Sequence, residues 1–301
     1  MLFDRRSVLA AGLVPLLRAI PLNEFPLGVT TDEIDDGLER AIAFLQQFGL
    51  RHAEFRRVWG QYSTSLPLDR IREARRMLDE ASIRLAILDT EFFRIPLPAD
   101  TPAGRATLDN QWALLDQAIE RATILGTDKL RTFAFLRGQD EEKGDPRLYP
   151  RIYELVAEGA RRAAKRGFRL AIENLGASFV STGAESAAMF HAVRERNLGL
   201  TWDPNNAGSR GERSFPDGYR LLDPARIFHV HLRDYRKNAQ GVYEWCPVGQ
   251  GEFDNLGQIR ALLKDGYRGA WSLETHWRSP QGKEHASRTS LTALLKIIAQ
   301  V

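Results

Sequence analysis

The sequence predicts an α/β protein, a single-domain (β/α)8 TIM barrel, and three observations carry that prediction. Eight short apolar segments alternate with longer amphipathic segments from residue 25 to the end of the chain, which is the pattern of parallel βαβ units. Glycines follow four of the amphipathic segments, as they often do after helix ends. Residues 25–301 contain no linker-like break, and barrels of about 250 residues commonly form one domain.

The eight short segments are apolar throughout or rich in β-branched and aromatic residues, as expected of strands buried on both faces. The predicted strands are Pro26–Thr30, His52–Arg56, Arg84–Leu88, Lys129–Phe135, Phe168–Glu173, Gly199–Trp202, Ile227–Leu232 and Ala270–Leu273.

The intervening segments repeat apolar residues with a helical period, as Ile34, Leu38 and Leu45 do in the first of them. The predicted helices are Ile34–Phe48, Leu68–Ala81, Ala106–Leu125, Leu148–Arg166, Ala184–Arg196, Leu256–Lys264 and His285–Ile298. The glycines just past helix ends are Gly49, Gly126, Gly167 and Gly266. The alternative is an open doubly wound sheet, which usually carries a Gly-rich phosphate-binding turn after its first strand. Val29-Thr30-Thr31-Asp32 is not such a turn.

Composition limits the classes of partner and the chemistry that can be expected. The 42 basic and 39 acidic residues are mixed along the chain, with a net charge of +3, so charge gives no reason to expect a nucleic-acid partner. The single cysteine, Cys246, excludes an intrachain disulfide and a cysteine-based zinc site. We interpret it as a packed or loop cysteine.

The N-terminus resembles a twin-arginine export signal. Arg5-Arg6 precede an apolar run from Val8 to Leu17, which is too short for a stable membrane anchor. We predict that residues 1–24 are this signal, that residues 25–301 form the barrel, and that the protein is exported to the periplasm. The alternative is a short helix on the barrel base in a cytoplasmic protein, because Arg18 interrupts the apolar run and no clean cleavage site follows.

Four consecutive predicted strands end in residues that bind hard metal ions. The fifth ends at Glu173, the sixth is followed by Asp203, the seventh contains His231, and the eighth is followed by Glu274. Chemistry in a barrel gathers at the carboxyl ends of the strands, and these four are neighbours around the rim. Three carboxylates that converge repel one another unless a divalent cation offsets their charge. One such residue alone is equally well explained by a salt bridge or a helix cap.

The seventh strand offers two histidines. His229 and His231 lie two residues apart and therefore share one face of the strand. Either can serve as the metal ligand on this argument, and the other can contact substrate or form a core hydrogen bond.

The motifs around these residues resemble the xylose-isomerase-like TIM-barrel family, which includes sugar phosphate isomerases and epimerases and is related to endonuclease IV. The resemblance runs from about Leu27 to Ile298 and rests on the order of several short motifs. These are Gly-Val-Thr-Thr-Asp32, Ala-Glu54-Phe-Arg56, Ile-Glu173-Asn, Trp-Asp203-Pro-Asn-Asn, His-Val-His231-Leu-Arg-Asp234, Val248-Gly-Gln-Gly-Glu-Phe-Asp254 and Ser-Leu-Glu274-Thr.

The resemblance implies a metal set and a pair of acid–base residues. Members similar to tagatose 3-epimerase use Glu, Asp, His and Glu, which fall on Glu173, Asp203, His231 and Glu274 here. The resemblance favours His231 over His229 because a polar and an acidic residue follow it at the family's spacing. Mn²⁺ is the expected metal, with Mg²⁺, Co²⁺ and Zn²⁺ as alternatives. Glu173 and Glu274 are also the expected acid and base.

The expected function is that of a metal-dependent isomerase or epimerase acting on a sugar or keto-sugar through an enediolate. Two alternatives remain: β-elimination from a 3-keto-glycoside at the same site, and a non-catalytic sugar-binding barrel. Asn206 stands where the epimerases have a histidine, and Lys237 lies near their substrate-binding arginine, so the particular sugar does not transfer. Export favours a free sugar over a phosphorylated one, and the oligomeric state, including a homo-oligomer, stays open. Candidate substrate contacts are His52, Glu54, Arg131, Asn206, His229 and Lys237.

Overall fold

The computed structural model describes residues 25–138 and 145–301, and these residues form a (β/α)8 barrel. The proposed signal at residues 1–24 lies outside the described residues. The barrel strands are β1 (Leu27–Val29), β2 (His52–Phe55), β3 (Arg84–Asp89), β4 (Lys129–Thr132), β5 (Arg169–Glu173), β6 (Leu198–Trp202), β7 (Ile227–Leu232) and β8 (Ala270–Leu273). Within the described residues, no helix is long and apolar enough to cross a membrane.

The eight strands are parallel and pair in chain order from β2 through β8, after which β8 pairs with β1. A parallel bridge between Thr30 and Glu54 links the ends of β1 and β2 and completes the ring. Closure removes both edges of the sheet, so every strand is paired on two sides. The predicted architecture is confirmed.

In the part of the chain that the structure describes, eight α-helices cover the barrel between the strands. They are α1 (Leu38–Gln47), α2 (Leu68–Glu80), α3 (Pro102–Leu125), α4 (Tyr149–Ala164), α5 (Gly183–Ala192), α6 (Pro204–Ser209), α7 (Asn255–Lys264) and α8 (Lys283–Ile298). The four glycines expected after helix ends all adopt positive φ, between 67° and 87°. That backbone region suits glycine because it has no Cβ.

Element bounds differ from the sequence prediction where local backbone chemistry overrides periodicity. Helix α1 begins at Leu38 instead of Ile34, because Gly37 is extended and donates its N–H to Asp35 Oδ1 at 2.8 Å. Helix α3 begins four residues early, at Pro102, where the Thr101 hydroxyl caps it by accepting from Gly104 N–H at 3.1 Å. The N-termini of both helices are set by the residues that cap them, and the spacing of apolar residues does not indicate those caps.

Two further differences shorten predicted elements. Helix α5 ends at Ala192 instead of Arg196, since Val193 is extended with φ −103° and ψ 115°. Strand β4 ends at Thr132 instead of Phe135, and Phe135 itself has a positive φ of 59°. The short helix α6 and the hairpin of Asp234–Lys237 with Tyr243–Cys246 were not predicted. Both lie after strand ends and help to build the rim.

Gly28 in β1 lies at the closing seam of the barrel. A Cβ atom at this position would stand 2.8 Å from the carbonyl oxygen of His52 in β2. Backbone on the neighbouring strand cannot move away as a flexible side chain can. We therefore expect Gly28→Ala to lower the free energy of unfolding by about 1–3 kcal/mol, measured by urea denaturation.

Gly138→Ala is the matched control, because a Cβ atom there meets nothing within 4 Å and the residue is exposed. Equal unfolding midpoints for the two variants would contradict close packing at the β1–β2 seam.

Candidate metal centre

The carboxyl ends of β5 to β8 bring four acidic and imidazole side chains into one buried volume. Glu173, Asp203, His231 and Glu274 are between 0% and 2% exposed, and one ligand atom from each lies within 4.8 Å of the other three. His231 Nδ1 is 3.3 Å from Glu274 Oε2, and it is 3.8 Å from both Glu173 Oε1 and Asp203 Oδ2. The convergence expected from the strand order is therefore present.

Glu54 fixes the orientation of the His231 ring. The Glu54 carboxylate accepts from His231 Nε2 at 2.9 Å and from His229 Nε2 at 2.8 Å. Burial alone would raise the pKa of Glu54, but the two imidazoles lower it well below its usual value. An ionised Glu54 can only accept, so Nε2 carries the proton and Nδ1 is the atom turned toward the carboxylates.

Asp203 is oriented by the short helix that follows it. Its Oδ1 caps α6 by accepting from the backbone N–H groups of Asn205 at 2.9 Å and Asn206 at 3.0 Å. Its Oδ2 is thereby left facing the cluster. Burial alone would raise the pKa of Asp203, but Arg233 and His231 lower it below its usual value. The cap thus serves the helix and also presents a charged oxygen to the site.

Three arginines surround the cluster and pair with its carboxylates. Arg131 bonds to Glu173 and lies 3.1 Å from Asp89. Arg56 bonds to Glu274, and its guanidinium is also 2.9 Å from Asp32 and 2.7 Å from Glu33. Arg233 bonds to Asp203. Each pair offsets part of the cost of burying a charge.

The pKa of Glu274 reflects this environment. Burial alone would raise it, but His276, His231 and Arg56 lower it well below its usual value. Glu274 is therefore held in the carboxylate form.

The charges around the cluster do not balance. Seven buried carboxylates face three guanidiniums, and the carboxylates belong to Asp32, Glu33, Glu54, Asp89, Glu173, Asp203 and Glu274. Burial, only partly opposed by Arg131, raises the pKa of Asp89 well above its usual value, so protonation of that group removes one negative charge. A negative excess remains even when His231 is charged, and burial of such an excess is costly.

A divalent cation fits the residues present. His231 Nδ1 and Glu274 Oε2 are buried, face each other across the cluster and have no hydrogen-bond partner among the described residues. Glu54 and Glu274 raise the pKa of His231 well above its usual value, although burial alone would lower it, so the field at Nδ1 favours positive charge. Three carboxylates with one imidazole suit Mn²⁺, Mg²⁺, Co²⁺ or Zn²⁺.

A small cavity of about 180 Å³ opens above the cluster. Its wall combines charged groups with aromatic rings, a mixture typical of sites for small polar molecules. The lining residues are Arg56, Tyr62, Arg94, Arg131, Phe133, Glu173, Leu175, Asn206, Arg233, Trp245, Glu274 and His276.

The six candidate substrate contacts fall in three groups. Arg131 and Asn206 line the cavity, and Asn206 donates its side-chain N–H to Glu173 Oε1 at 3.1 Å. Glu54 and His229 are fully buried inside the barrel and do not line the cavity. His229 also lies 2.9 Å from the Ser272 hydroxyl, so it is a hydrogen-bonded core histidine.

His52 and Lys237 do not join the site. His52 begins β2 and lines a cavity at the opposite end of the barrel from the strand ends. Lys237 is exposed on the hairpin that follows β7, where its ammonium lies 5.0 Å from the centre of the Tyr243 ring. His52 lies away from the site because it stands at the start of its strand, not at the end. Lys237 lies away from it because the chain turns into a hairpin that was not predicted.

Five polar residues of the cavity received no role from the sequence: Arg56, Tyr62, Arg94, Arg233 and His276. The sequence did contain a pattern that places Arg233 inside the barrel. His229, His231 and Arg233 are spaced two residues apart along one strand and so share its inner face. His276 bonds through Nδ1 to Glu33 Oε1 at 2.8 Å. That contact joins segments 243 residues apart in the chain, and no local pattern reports it.

The chain belongs to the xylose isomerase-like TIM barrel family, whose model matches residues 42–297. Among curated proteins it is similar to two that are named 3-dehydroshikimate dehydratase. The protein from Pseudomonas aeruginosa is 34% identical over 137 residues, and the one from Pseudomonas putida is 31% identical over 157 residues. These matches cover 44% and 50% of this chain but only 21% and 24% of those longer proteins.

Solved structures share the fold at low sequence identity. The IOLI protein with a bound zinc atom has a TM-score of 0.73 and 18% identity, covering 92% of this chain and 99% of that one. L-ribulose 3-epimerase has a TM-score of 0.72 and 16% identity, covering 92% and 95%. A probable 3-DHS dehydratase, AsbF from Bacillus anthracis, has a TM-score of 0.70 and 16% identity, covering 90% and 99%.

Glu33 contacts both Arg56 and His276 at the rim of the site, and its pKa predicts how the stability of the protein depends on pH. Burial alone would raise its pKa, but His276 and Arg56 lower it from 4.5 to about 2. A carboxylate with a lowered pKa stabilises the folded state above pH 4.5, and that contribution is lost as the pH falls toward 2. We expect Glu33→Gln to be about 3 kcal/mol less stable than the wild type at pH 5.5, with the gap closing near pH 2.

Urea denaturation at a series of pH values measures this difference. Glu120→Gln, on the exposed face of α3, serves as the control and should leave the pH profile unchanged. A gap between Glu33→Gln and wild type that stays constant down to pH 2 would contradict the role of the Glu33 charge.

Proposed function

We propose that this protein is a divalent-metal-dependent enzyme that isomerises or epimerises a sugar or keto-sugar through an enediolate. The observation that carries the proposal is the convergence of Glu173, Asp203 and Glu274 on His231 Nδ1, with distances of 3.3 and 3.8 Å. Family membership supports an enzyme, because the relatives with named activities are epimerases and dehydratases.

Glu173, Asp203, His231 and Glu274 are the proposed metal ligands, and Mn²⁺ is the proposed metal. When bound, a divalent cation polarises a carbonyl group and stabilises negative charge that develops on its oxygen. Glu54 is a positioning residue in this scheme, since it holds Nε2 of His231 and so directs Nδ1. It is not a proposed substrate contact.

Glu173 and Glu274 are the proposed acid and base. Both line the cavity, from β5 and β8 respectively. One group, as the carboxylate, removes the proton from the carbon beside the substrate carbonyl, and the other, as the carboxylic acid, gives its own proton to the opposite face, which inverts that carbon. The lowered pKa of Glu274 keeps it in the form that accepts a proton. Arg131 and Asn206 hold Glu173 in place.

A second candidate function is elimination at the same site, and the two dehydratase relatives favour it. Both match this chain in sequence, at 34% and 31% identity over 44% and 50% of its length, whereas the epimerase is similar to it in fold at 16% identity. The first step would be the same removal of a proton. The electrons of the C–H bond then form a C=C bond, the C–O bond at the β position breaks, and the oxygen departs as water or as an alcohol after taking a proton from the second carboxyl group. A non-catalytic sugar-binding barrel is the third candidate.

The cellular localisation of the protein stays a prediction. A twin-arginine signal at residues 1–24 and a barrel at residues 25–301 would make it a periplasmic enzyme that folds before export. A periplasmic localisation favours a free sugar or a keto-sugar over a phosphorylated sugar as the substrate. The expected partner is then a small carbohydrate, with neither nucleic acid nor a stable membrane anchor.

Glu274→Gln tests the metal and acid–base roles together. The amide keeps the shape of the side chain but lacks the charge and cannot accept a proton. We expect turnover to fall by at least about 100-fold and the metal content after dialysis against Mn²⁺ to drop, measured by elemental analysis. Glu80→Gln, exposed at the end of α2, is the control. Full activity of Glu274→Gln with wild-type metal content would refute the assignment.

Proton exchange distinguishes the three candidate functions. The Mn²⁺-loaded protein is incubated in D₂O with a panel of keto-sugars and 3-keto-glycosides, and the products are examined by mass spectrometry and NMR. We expect deuterium in a recovered epimer or isomer. A released aglycone or lost water would establish elimination instead. Tight binding with no deuterium incorporation across the panel would leave only the sugar-binding barrel.

A further inference from the structure

Arg233 is a buried arginine in the cavity whose donors are only partly used. It is 1% exposed, and its guanidinium lies 4.0 Å from the centre of the Trp245 ring. Nη2 bonds to Asp203, whereas Nε and Nη1 have no hydrogen-bond partner among the described residues. A buried guanidinium with unsatisfied donors is costly, and this one lines the cavity. It is therefore ready to receive an acceptor from a ligand.

The other guanidiniums of the cavity differ from Arg233. Arg56 has carboxylate partners outside the proposed metal set, at 2.9 Å from Asp32 and 2.7 Å from Glu33. Arg131 has one as well, 3.1 Å from Asp89.

Arg94 is 44% exposed at the cavity opening, and its ion pair with Glu91 is long, at 3.9 Å. Arg233 alone among the four combines full burial with acidic partners that all belong to the proposed metal set, namely Asp203 and Glu274.

This difference matters once a metal is held. Asp203 Oδ2 is the oxygen that bonds to Arg233, and it is also the Asp203 oxygen nearest His231 Nδ1, at 3.8 Å. Glu274 Oε2 is 3.7 Å from Arg233 Nη1 and is likewise turned toward His231. If these oxygens bind a cation, Arg233 must share both acceptors with a second positive charge. A buried cation without its own anion is strongly unfavourable.

We propose that the substrate supplies that anion, so that the natural substrate is a keto-sugar acid whose carboxylate is received by Arg233. The inference rests on the proposed function, since it uses the same cavity and metal set. A guanidinium donates charge-assisted hydrogen bonds to a carboxylate, and Arg233 has two nitrogens, Nε and Nη1, whose N–H groups are not engaged. Trp245 holds the plane of the guanidinium, which lowers the entropy lost when the ligand binds.

The size of the cavity limits the ligand to a small molecule. A volume of about 180 Å³ suits a single sugar acid and not an oligosaccharide. Arg94 at the opening adds a second positive charge on the path of entry, which accelerates the arrival of an anion at low salt. Arg94 acts on the rate of association, whereas Arg233 acts on the bound state.

Three probes that differ only at C6 test the inference: D-fructose, D-fructuronate and D-fructose 6-phosphate. These carry a hydroxymethyl group, a carboxylate and a phosphate at the same position. Binding to the Mn²⁺-loaded full chain is measured by calorimetry, which needs no turnover. We expect D-fructuronate to bind at least about tenfold more tightly than D-fructose. Equal affinity of these two, or tightest binding of the phosphate, would overturn the inference.

Arg233→Gln should remove the preference for D-fructuronate over D-fructose, so that the ratio of the two affinities falls to about one. Arg70→Gln is the matched control, since Arg70 also stacks on a tryptophan, 3.7 Å from the centre of the Trp59 ring, but does not line the cavity. It should keep the wild-type preference. A preference that survives in Arg233→Gln would also overturn the inference. If that variant does not fold, the three wild-type affinities still decide the substrate class.

The outcome separates this inference from the proposed function. A preference for D-fructuronate without deuterium exchange would support Arg233 and count against enediolate chemistry. Deuterium exchange into neutral keto-sugars, with no preference for the carboxylate, would support the chemistry and count against Arg233. Absence of Mn²⁺ from the protein after loading would count against the proposed metal set itself.

Discussion

Burial of mutually repelling carboxylates is the constraint on which the rest of this structure depends. Glu173, Asp203 and Glu274 lie at the carboxyl ends of β5, β6 and β8 and point into one volume, where their charges interact in a poorly screened environment. Each is held by a partner that arrives from a distant part of the chain: Arg131 for Glu173, Arg233 for Asp203 and Arg56 for Glu274. Arg131 and Arg233 reach their partners from adjacent strands, whereas Arg56 meets Glu274 only because the barrel closes.

The histidines connect the site to the interior of the barrel. Glu54 from β2 bonds to His229 and His231 from β7 across the barrel interior, so a charged group replaces part of the apolar core that usually fills such barrels. The cost of burying that carboxylate is offset by two imidazole donors. In return the His231 ring has one orientation, and the proposed metal set acquires its only nitrogen ligand in a fixed geometry.

Similarity to known proteins identifies the family and leaves the reaction open. Under the proposed mechanism, epimerisation and elimination begin with the same proton abstraction and differ only in where the resulting electrons go. The curated dehydratases are much longer than the segments that match, so their activity belongs to a larger protein. Residues at the cavity wall, and Arg233 in particular, are therefore more informative about substrate than the family name is.

The sequence by itself determined the barrel and the four converging residues. Strand and helix periods are local, and parallel strands place their carboxyl ends together, so Glu173, Asp203 and Glu274 could be predicted as neighbours of a histidine on β7. The choice of His231 over His229 came from the family resemblance. Gly49 and Gly126 could likewise be predicted at helix ends, because positive φ is a local property. Bounds failed where a cap or a glycine, as at Gly37 and Thr101, outweighed the apolar pattern.

Only the tertiary structure decided which side chains support the cluster and which face the cavity. Glu54 was expected to contact substrate, but it lies under the histidines, and His52 lies at the other end of the barrel. Contacts such as Arg56 with Glu274 span 218 residues and depend on closure of the ring between β8 and β1. A one-dimensional pattern does not encode the direction of a long side chain across that gap, and so the role of Arg56 emerged only from the folded chain.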